Sequence, residues 1–591
     1  MIGRVIDEKS LPEHRRLRTK WQCLAASLLW NGAVALLFRV FMCPVFETND
    51  DMAIMGIVNG TRGVFDVHVI QHFLLGMLYR SLYRITTSVS WYSVCQYLFL
   101  MLSFTAITYV LLQRCEGYFG LALSLVITAF FGTQCYASMQ FTKAAGMLTA
   151  AGIFLLYHAA WQDGRFSGSR FLEWIFGLFL ALTGSMYRFD AFASTAALMS
   201  GIGIFLLFSL LHHAQRGTFR RVLLTLVTFG TLFFAAFFLR KENTRFYNAD
   251  QRWADYLEYN DARAQLQDYE LPDYEKNRTA MEEMGVSEEA YMLLGNWNQY
   301  DPDVLDTGTL QQIAALQTQR KMDLSLLVEY FRTIPGFFAG IRMCYCFLIV
   351  FILMLYVLIR SKDISRIHFW ISLIWEAAAF LALYFYLYYR GRYTVERIAV
   401  GYWMAVILFA AWVLADSSGR VKFFFGKKEA LAVGIVSFAF YQGYWFNALP
   451  IHRKQVLNKR EVNRSYLETM GADKEHLYLR KTALVLTDDC FGPFDAQPEG
   501  VLDNQGTLGG WICSVPVQQE ILASYGVVNP YRDMVDNDKV LLVDDHIDST
   551  LRYIREQYAP SAEAEETGKI GKAGIYRIVT DSGEDQNAEE E

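Results

Sequence analysis

Cysteine is scarce in this 591-residue chain, nine in all, and histidine is nearly as rare at ten. Neither falls into the paired spacings that zinc sites require, so no structural metal centre of that kind is expected. The chain lacks a glycine-rich loop to cradle phosphates, and it lacks the serine turn that presents a hydrolase nucleophile. It also lacks an internal repeat of the kind many secondary transporters show. Charge is thin: 19% of residues are Asp, Glu, Lys or Arg, against 53% apolar and 15% aromatic. Such a chain is too apolar for an ordinary soluble enzyme. Its net charge of −6 divides between acidic and basic loops, which gives no sign of nucleic-acid binding.

What the sequence has in quantity is long apolar runs. Crossing a bilayer takes about 20 apolar residues per helix, and about eleven runs meet that need. They extend from LAASLLWNGAVALLFRVFMCPVF near the start to ALAVGIVSFAFYQGYWF before residue 450. The first run is too long for the core of a cleavable signal peptide, and no small-residue cleavage site follows it. Basic residues set the orientation. RRLRTK precedes the first run, and QRCEG, QDGRFSGSR, HHAQRGTFRR, RSKDISR and DSSGRVKFFFGKK fall on the same side. This places the N-terminus in the cytoplasm. The opposite face receives ETNDD, TQCYASMQFTKAAG, YRFD, YRGRYTVER, a long segment over 241–335 and the C-terminal tail. Residues 241–320 carry 16 acidic and 7 basic residues, as an outer segment should.

The expected architecture is an all-α polytopic membrane core over 1–450, with two outer insertions and a small C-terminal α/β domain over 451–591. The first insertion, 47–90, contains DVHVIQHFLLGMLYRSLYRI, whose Val69, Phe73, Met77 and Leu78 share helical spacing. At a membrane lip this predicts an interfacial helix, with His68, Gln71 and His72 on its polar side. The second insertion, 241–335, has too many aromatic residues for a disordered linker and predicts a helical cap. In the tail, TALVLTDD, KVLLVDD and AGIYRIVT predict strands, while VQQEILASYG and STLRYIREQYA predict helices. GEDQNAEEE is an acidic, frayed end. Cys490 and Cys513 are expected as free thiols rather than a disulfide, and the Asp544–Asp548 group of VDDHID as a loop rather than a metal cluster.

Chemistry concentrates in FETNDD, at the outer end of the first run, where Glu47, Asn49, Asp50 and Asp51 stand together. Charges at a helix end often do no more than mark its boundary. Here the same face also receives Arg188 and Asp190 from MYRFD, Arg390, Arg392 and Arg397 from YYRGRYTVER, and Lys143 from QFTKAAG. Outer loops should be poor in arginine, so this cluster departs from the topology rule. A carboxylate can take a proton from an attacking hydroxyl. Guanidinium groups can grip a departing phosphate and stabilise its growing charge. That combination suits transfer of a sugar from a lipid phosphate at headgroup depth. A Mg²⁺ or Mn²⁺ ion shared by Asp50 and Asp51 is compatible with the oxygen ligands but not required. In the cap, Trp253, Tyr259, Asn260 and Arg263 offer aromatic and polar contacts that suit an acceptor sugar, although an ordinary amphipathic helix pair reads the same way.

An acidic pair in the first outer loop, an interfacial helix behind it, about eleven spans and an outer C-terminal domain resemble the GT-C superfamily of integral membrane glycosyltransferases. The resemblance implies a polyprenyl-phosphate-linked sugar donor, a catalytic aspartate at Asp50 or Asp51, and inversion at the anomeric carbon. The acceptor would be a cell-surface glycan or a lipid-linked molecule, and Arg188, Arg392, Arg397 and Lys143 would bind the donor phosphate, with Asp190, Glu47 and Asn49 in support. Two other readings compete: a polysaccharide polymerase or ligase using lipid-pyrophosphate donors, and a transporter or flippase. The second predicts charges buried mid-span, where only Glu173 and Glu376 are acidic.

Overall fold

The computed structural model describes residues 19–580 apart from 116–117, 163–166, 213–217, 318–321, 341–342, 362–366, 393–395, 419–426 and 482–489. Most of the basic loops used to read orientation lie wholly or partly outside the described residues. So do the strand predicted at TALVLTDD, part of YYRGRYTVER, and the acidic end.

The chain is a multi-pass membrane protein built mostly of helices. Seven described helices are long and apolar enough to cross a bilayer: Lys20–Phe41, Trp91–Arg114, Phe119–Ala137, Phe189–Ser209, Phe219–Asn248, Ile367–Tyr389 and Glu396–Ser417. The other predicted runs are helical too, at Phe141–Ala160, Gly168–Tyr187, Met343–Ser361 and Lys427–Ala472. The count of eleven spans therefore exceeds the seven that meet both tests. Two of the exceptions have a clear cause. Every residue of Phe141–Ala160 is buried within the bundle, so it need not be apolar throughout. Gly168–Tyr187 carries Glu173 inside the protein, where Lys20 pairs with it at 2.8 Å. These two helices approach through small residues. A Cβ on Gly152 would lie 2.5 Å from the Ala181 nitrogen, and one on Gly184 would lie 2.5 Å from Thr149 Oγ1.

On the site's face of the bundle, a two-residue parallel pairing joins β1 (Val45–Phe46) to β2 (Ser138–Met139). Helix Asn49–Val58 follows at once. The amphipathic helix runs over Phe73–Ile85 and turns Leu74, Met77, Leu78 and Ile85 outward. It starts later than the pattern predicted, because His72 is its N-cap and accepts from the Leu74 N–H at 3.2 Å. Val69 and His68 therefore sit outside it. The Tyr247 hydroxyl donates to the His68 carbonyl, and the His72 N–H donates to the Met186 carbonyl at 2.8 Å. These bonds hold 66–72 against the bundle.

The cap consists of helices Gln251–Gln267, Tyr274–Glu283, Glu288–Gly295 and Thr307–Ala315, N-capped by the side chains of Asp250, Asp273, Ser287 and Asp306. Helix Lys427–Ala472 carries the chain from the membrane into the tail and passes residue 450 without a break. The tail adds β3 (Leu477–Arg480), β4 (Gln505–Thr507), β5 (Val540–Asp544), β6 (Ala562–Ile570) and β7 (Ala573–Thr580). They form one sheet in the order β4-β3-β5-β7-β6, parallel across β4-β3-β5 and antiparallel beyond. Cap and tail share a hydrophobic core that includes Leu266, Leu294, Leu479, Leu508 and Tyr531. Buried Asp301 of the cap ties them further, accepting from Tyr553, Tyr558 and Asn529 of the tail at 2.7–2.8 Å. Cys490 and Cys513 are both buried, and no disulfide joins them.

Candidate functional site

The two aspartates of the acidic pair do different things. Both lie in the first turn of helix Asn49–Val58, where negative charge suits the helix dipole. Asp51 is fully buried. Its Oδ1 accepts from the Tyr92 hydroxyl at 2.7 Å and from the Phe141 N–H at 3.1 Å. It therefore helps cap the buried helix Phe141–Ala160, whose N-cap Gln140 accepts from the Thr142 and Lys143 N–H groups. Burial pushes the Asp51 carboxyl well above its ordinary value, although Tyr92 and Phe141 pull the other way.

Asp50 turns elsewhere. It is half-buried, and its Oδ1 accepts from the Trp511 indole N–H at 3.0 Å. Trp511 belongs to the C-terminal tail, so one outer loop and the far end of the chain meet at this carboxylate. The tail is fastened here by further bonds: Asn59 donates to Gln497 at 2.8 Å, and Arg62 to the Gln505 carbonyl at 3.0 Å.

Arg188 sits at the junction of helices Gly168–Tyr187 and Phe189–His212. It donates to Thr142 Oγ1 at 3.0 Å, beside the capped helix start. Four charges act on its guanidinium: Asp190 and Asp50 raise its affinity for a proton, Arg397 and Arg392 lower it, and burial lowers it most. Arginines and carboxylates from three separate chain segments, Asp50, Arg188 with Asp190, and Arg392 with Arg397, thus act on one another at one face. Arg392 pairs with Asp268 of the cap at 2.8 Å and lies 5.1 Å from the centre of the Tyr269 ring, while Arg390 lies 4.1 Å from the same ring. Arg397 has no ion pair among the described residues.

No family model matches the chain, and no curated protein does. Among solved structures the chain is similar to ArnT from Cupriavidus metallidurans, in the apo state and bound to undecaprenyl phosphate. In each case 10% of residues are identical, 93% of this chain and 98% of that chain are covered, and the TM-score is 0.38.

Other expected site residues are placed differently. Lys143 is buried and paired with Glu47 at 2.5 Å, and it donates to Gln134 Oε1 at 2.7 Å. Its charge is already neutralised within the protein, so the geometry gives it a role in holding the loop rather than gripping a phosphate. Asn49 and Asp190 are exposed. The acceptor candidates of the cap are packing residues. Trp253 is buried against Tyr247 and Tyr256, and Tyr259 is buried in the core shared with the tail. Arg263 is buried too and donates to Asn260 Oδ1 at 2.8–3.0 Å and to Gln267. That is the amphipathic helix reading, and it leaves these side chains little surface to offer a sugar. Asp544 of VDDHID is consumed within the tail by Lys481 at 2.8 Å and by Thr550.

Among the described residues no three His, Cys, Asp or Glu side chains are grouped to hold a metal, and Asp50 and Asp51 face different partners. The pair does not fit an ion shared between them. Sequence reasoning missed Trp511, Tyr92 and Thr142. Tyr92 was within reach, as a polar aromatic at the start of an apolar helix. Nothing in the sequence links Trp511 to a residue more than 400 positions away.

Proposed function

We propose that the chain is a membrane glycosyltransferase that moves a sugar from a polyprenyl-phosphate carrier to a hydroxyl of a cell-surface glycan or lipid-linked acceptor. The observation that carries this reading is the convergence of the Asp50 carboxylate with Arg188, Arg392 and Arg397 at one membrane face. Asp50 removes the proton of the acceptor hydroxyl as the new C–O bond forms at the anomeric carbon. The bond to the phosphate oxygen breaks on the opposite side, inverting that carbon. The lipid phosphate departs with its charge held by Arg188, which its bond to Thr142 fixes in place, and by Arg397. Asp190 holds Arg188 by charge, and Arg392 locks the cap over the site through Asp268. Asp51 positions Asp50 by anchoring their common helix turn. The site faces outward, with the N-terminus in the cytoplasm.

The test uses full-length protein in nanodiscs with polyprenyl-monophosphate and polyprenyl-pyrophosphate sugars offered side by side. Turnover of the monophosphate donor is expected, falling by roughly 100-fold in Arg188→Gln. Turnover of the pyrophosphate donor alone would overturn the proposal and favour a polymerase or ligase.

A further inference from the structure

A second group of guanidiniums, sharing no lining residue with the site above, surrounds a cavity of ≈ 150 Å³. Arg39 enters it from the last turn of helix Lys20–Phe41, where the first span leaves the bilayer on the same side as Asp50. Arg453 and Arg460 enter from helix Lys427–Ala472. Their seven-residue spacing is about two turns, which puts both on one helix face. The loop Gly492–Asp495 closes the third side.

The positions are built rather than incidental. Arg460 donates to the Pro44 carbonyl at 2.9 Å and to Cys43 Sγ at 3.6 Å. A Cβ on Gly492 would lie 2.6 Å from Arg460 Nη1, so glycine leaves room for that head group. Arg39 stacks over the Phe494 ring at 4.6 Å. The one carboxylate in the lining, Asp495, is satisfied by Arg464 at 3.0 Å and by the Gly492 N–H at 2.8 Å. Arg39 and Arg453 have no carboxylate partner among the described residues. Three cations therefore face a small cavity whose anion is already paired, at the depth where lipid phosphates lie. Val40 and Leu457 line the same cavity and are exposed, giving an apolar edge beside the charge.

We propose that this cavity binds a phosphate ester, and specifically the phosphate of a membrane lipid, with Arg39 and Arg453 as the free donors and Arg460 as the fixed one. Guanidinium forks match phosphate oxygens, and the apolar edge accommodates the adjoining chain. The site shares no residue with those assigned to the transfer chemistry and does not depend on it.

The test measures binding of dihexanoyl phosphatidic acid, dihexanoylglycerol and inorganic phosphate to full-length protein in dodecyl maltoside by native mass spectrometry. The Arg188→Gln background keeps the other arginine group out of the reading. Phosphatidic acid is expected to bind, and Arg39→Gln with Arg453→Gln to weaken it by roughly 100-fold, about tenfold for each charge-assisted hydrogen bond removed. The paired Lys variants should retain an intermediate affinity, and an unchanged melting temperature would show that the Gln variant is folded. Equal affinity for dihexanoylglycerol or for inorganic phosphate would overturn the lipid-phosphate assignment. Unchanged phosphatidic acid binding in the folded Gln variant would overturn the site.

Discussion

Substituting Asp50 and Asp51 one at a time should separate chemistry from architecture. Asp51→Ala removes the acceptor for both the Tyr92 hydroxyl and the Phe141 N–H. Each becomes a buried donor without a partner, at about 1–3 kcal/mol, so the total loss of stability is about 2–6 kcal/mol. Asp51→Asn keeps an oxygen that can accept both bonds. It also replaces a carboxyl that burial already disfavours as an anion, so it should cost no more than about 1 kcal/mol. Asp50→Asn likewise keeps an acceptor for Trp511 and should leave stability within about 0.5 kcal/mol. Its amide cannot take a proton, however, and transfer should fall by about 10²–10⁴-fold. The assay pairs thermal unfolding of detergent-purified protein with initial rates of sugar transfer. The expected pattern is Asp50→Asn stable and inactive, Asp51→Asn stable and substantially active, and Asp51→Ala unstable. An Asp51→Asn variant that melts like the parent but is as inactive as Asp50→Asn would refute the division of roles. So would an Asp51→Ala variant of unchanged stability.

Two further expectations follow from single side chains. His68 is fully buried with neither ring nitrogen hydrogen-bonded among the described residues, and burial pulls its pKa down to about 3. The unfolded state, with a pKa of about 6.5, binds the extra proton between those values, so stability falls as pH drops through that window, by up to about 1.4 kcal/mol per unit. Melting curves from pH 6.5 to 4 should lose this component in His68→Leu; an identical pH slope in the variant would count against it. Trp511→Phe removes the indole N–H that holds Asp50 and leaves a smaller aromatic ring in its place, so kcat should fall by roughly 3–10-fold with a modest drop in melting temperature from the lost ring volume. An unchanged kcat would mean that the tail does not orient the carboxylate.

The membrane helices were legible because lipid demands long apolar runs, and every predicted run is a helix. Their number was less secure, since burial among other helices relaxes that demand, as Phe141–Ala160 shows. The cap was expected to be helical, but its helix starts were not read from the sequence, although Asp250, Asp273, Ser287 and Asp306 are all N-capping residue types. The tail strands at Leu477–Arg480 and Gln505–Thr507 were missed because they are only four and three residues long. The edge hairpin strand Ala562–Ile570 was missed because AEAEETGKI is charged and largely exposed, with little of the apolar signal a strand normally shows. At the site, the topology rule brought Arg188, Arg392 and Arg397 to one face, since it registers arginines where they are not expected. It could not assign partners. Lys143 and Glu47 looked like two independent charges, and the β1–β2 pairing that joins them is too short to leave a pattern.

The fate of the acidic pair follows from helix geometry. Successive residues on a helix point about 100° apart, so two neighbouring carboxylates in a first turn diverge. Here one of them turns toward the bundle, where an unpaired charge is costly, and it persists there because donors meet it. Asp51 finds two, from the helix Trp91–Arg114 and from the start of the helix Phe141–Ala160. That capped start also carries Thr142, to which Arg188 donates. The buried aspartate therefore fixes the orientation of its neighbour and, through one helix terminus, the position of the nearest guanidinium. An adjacent acidic pair at a membrane lip is in this chain a single device, with one residue setting the geometry in which the other can act.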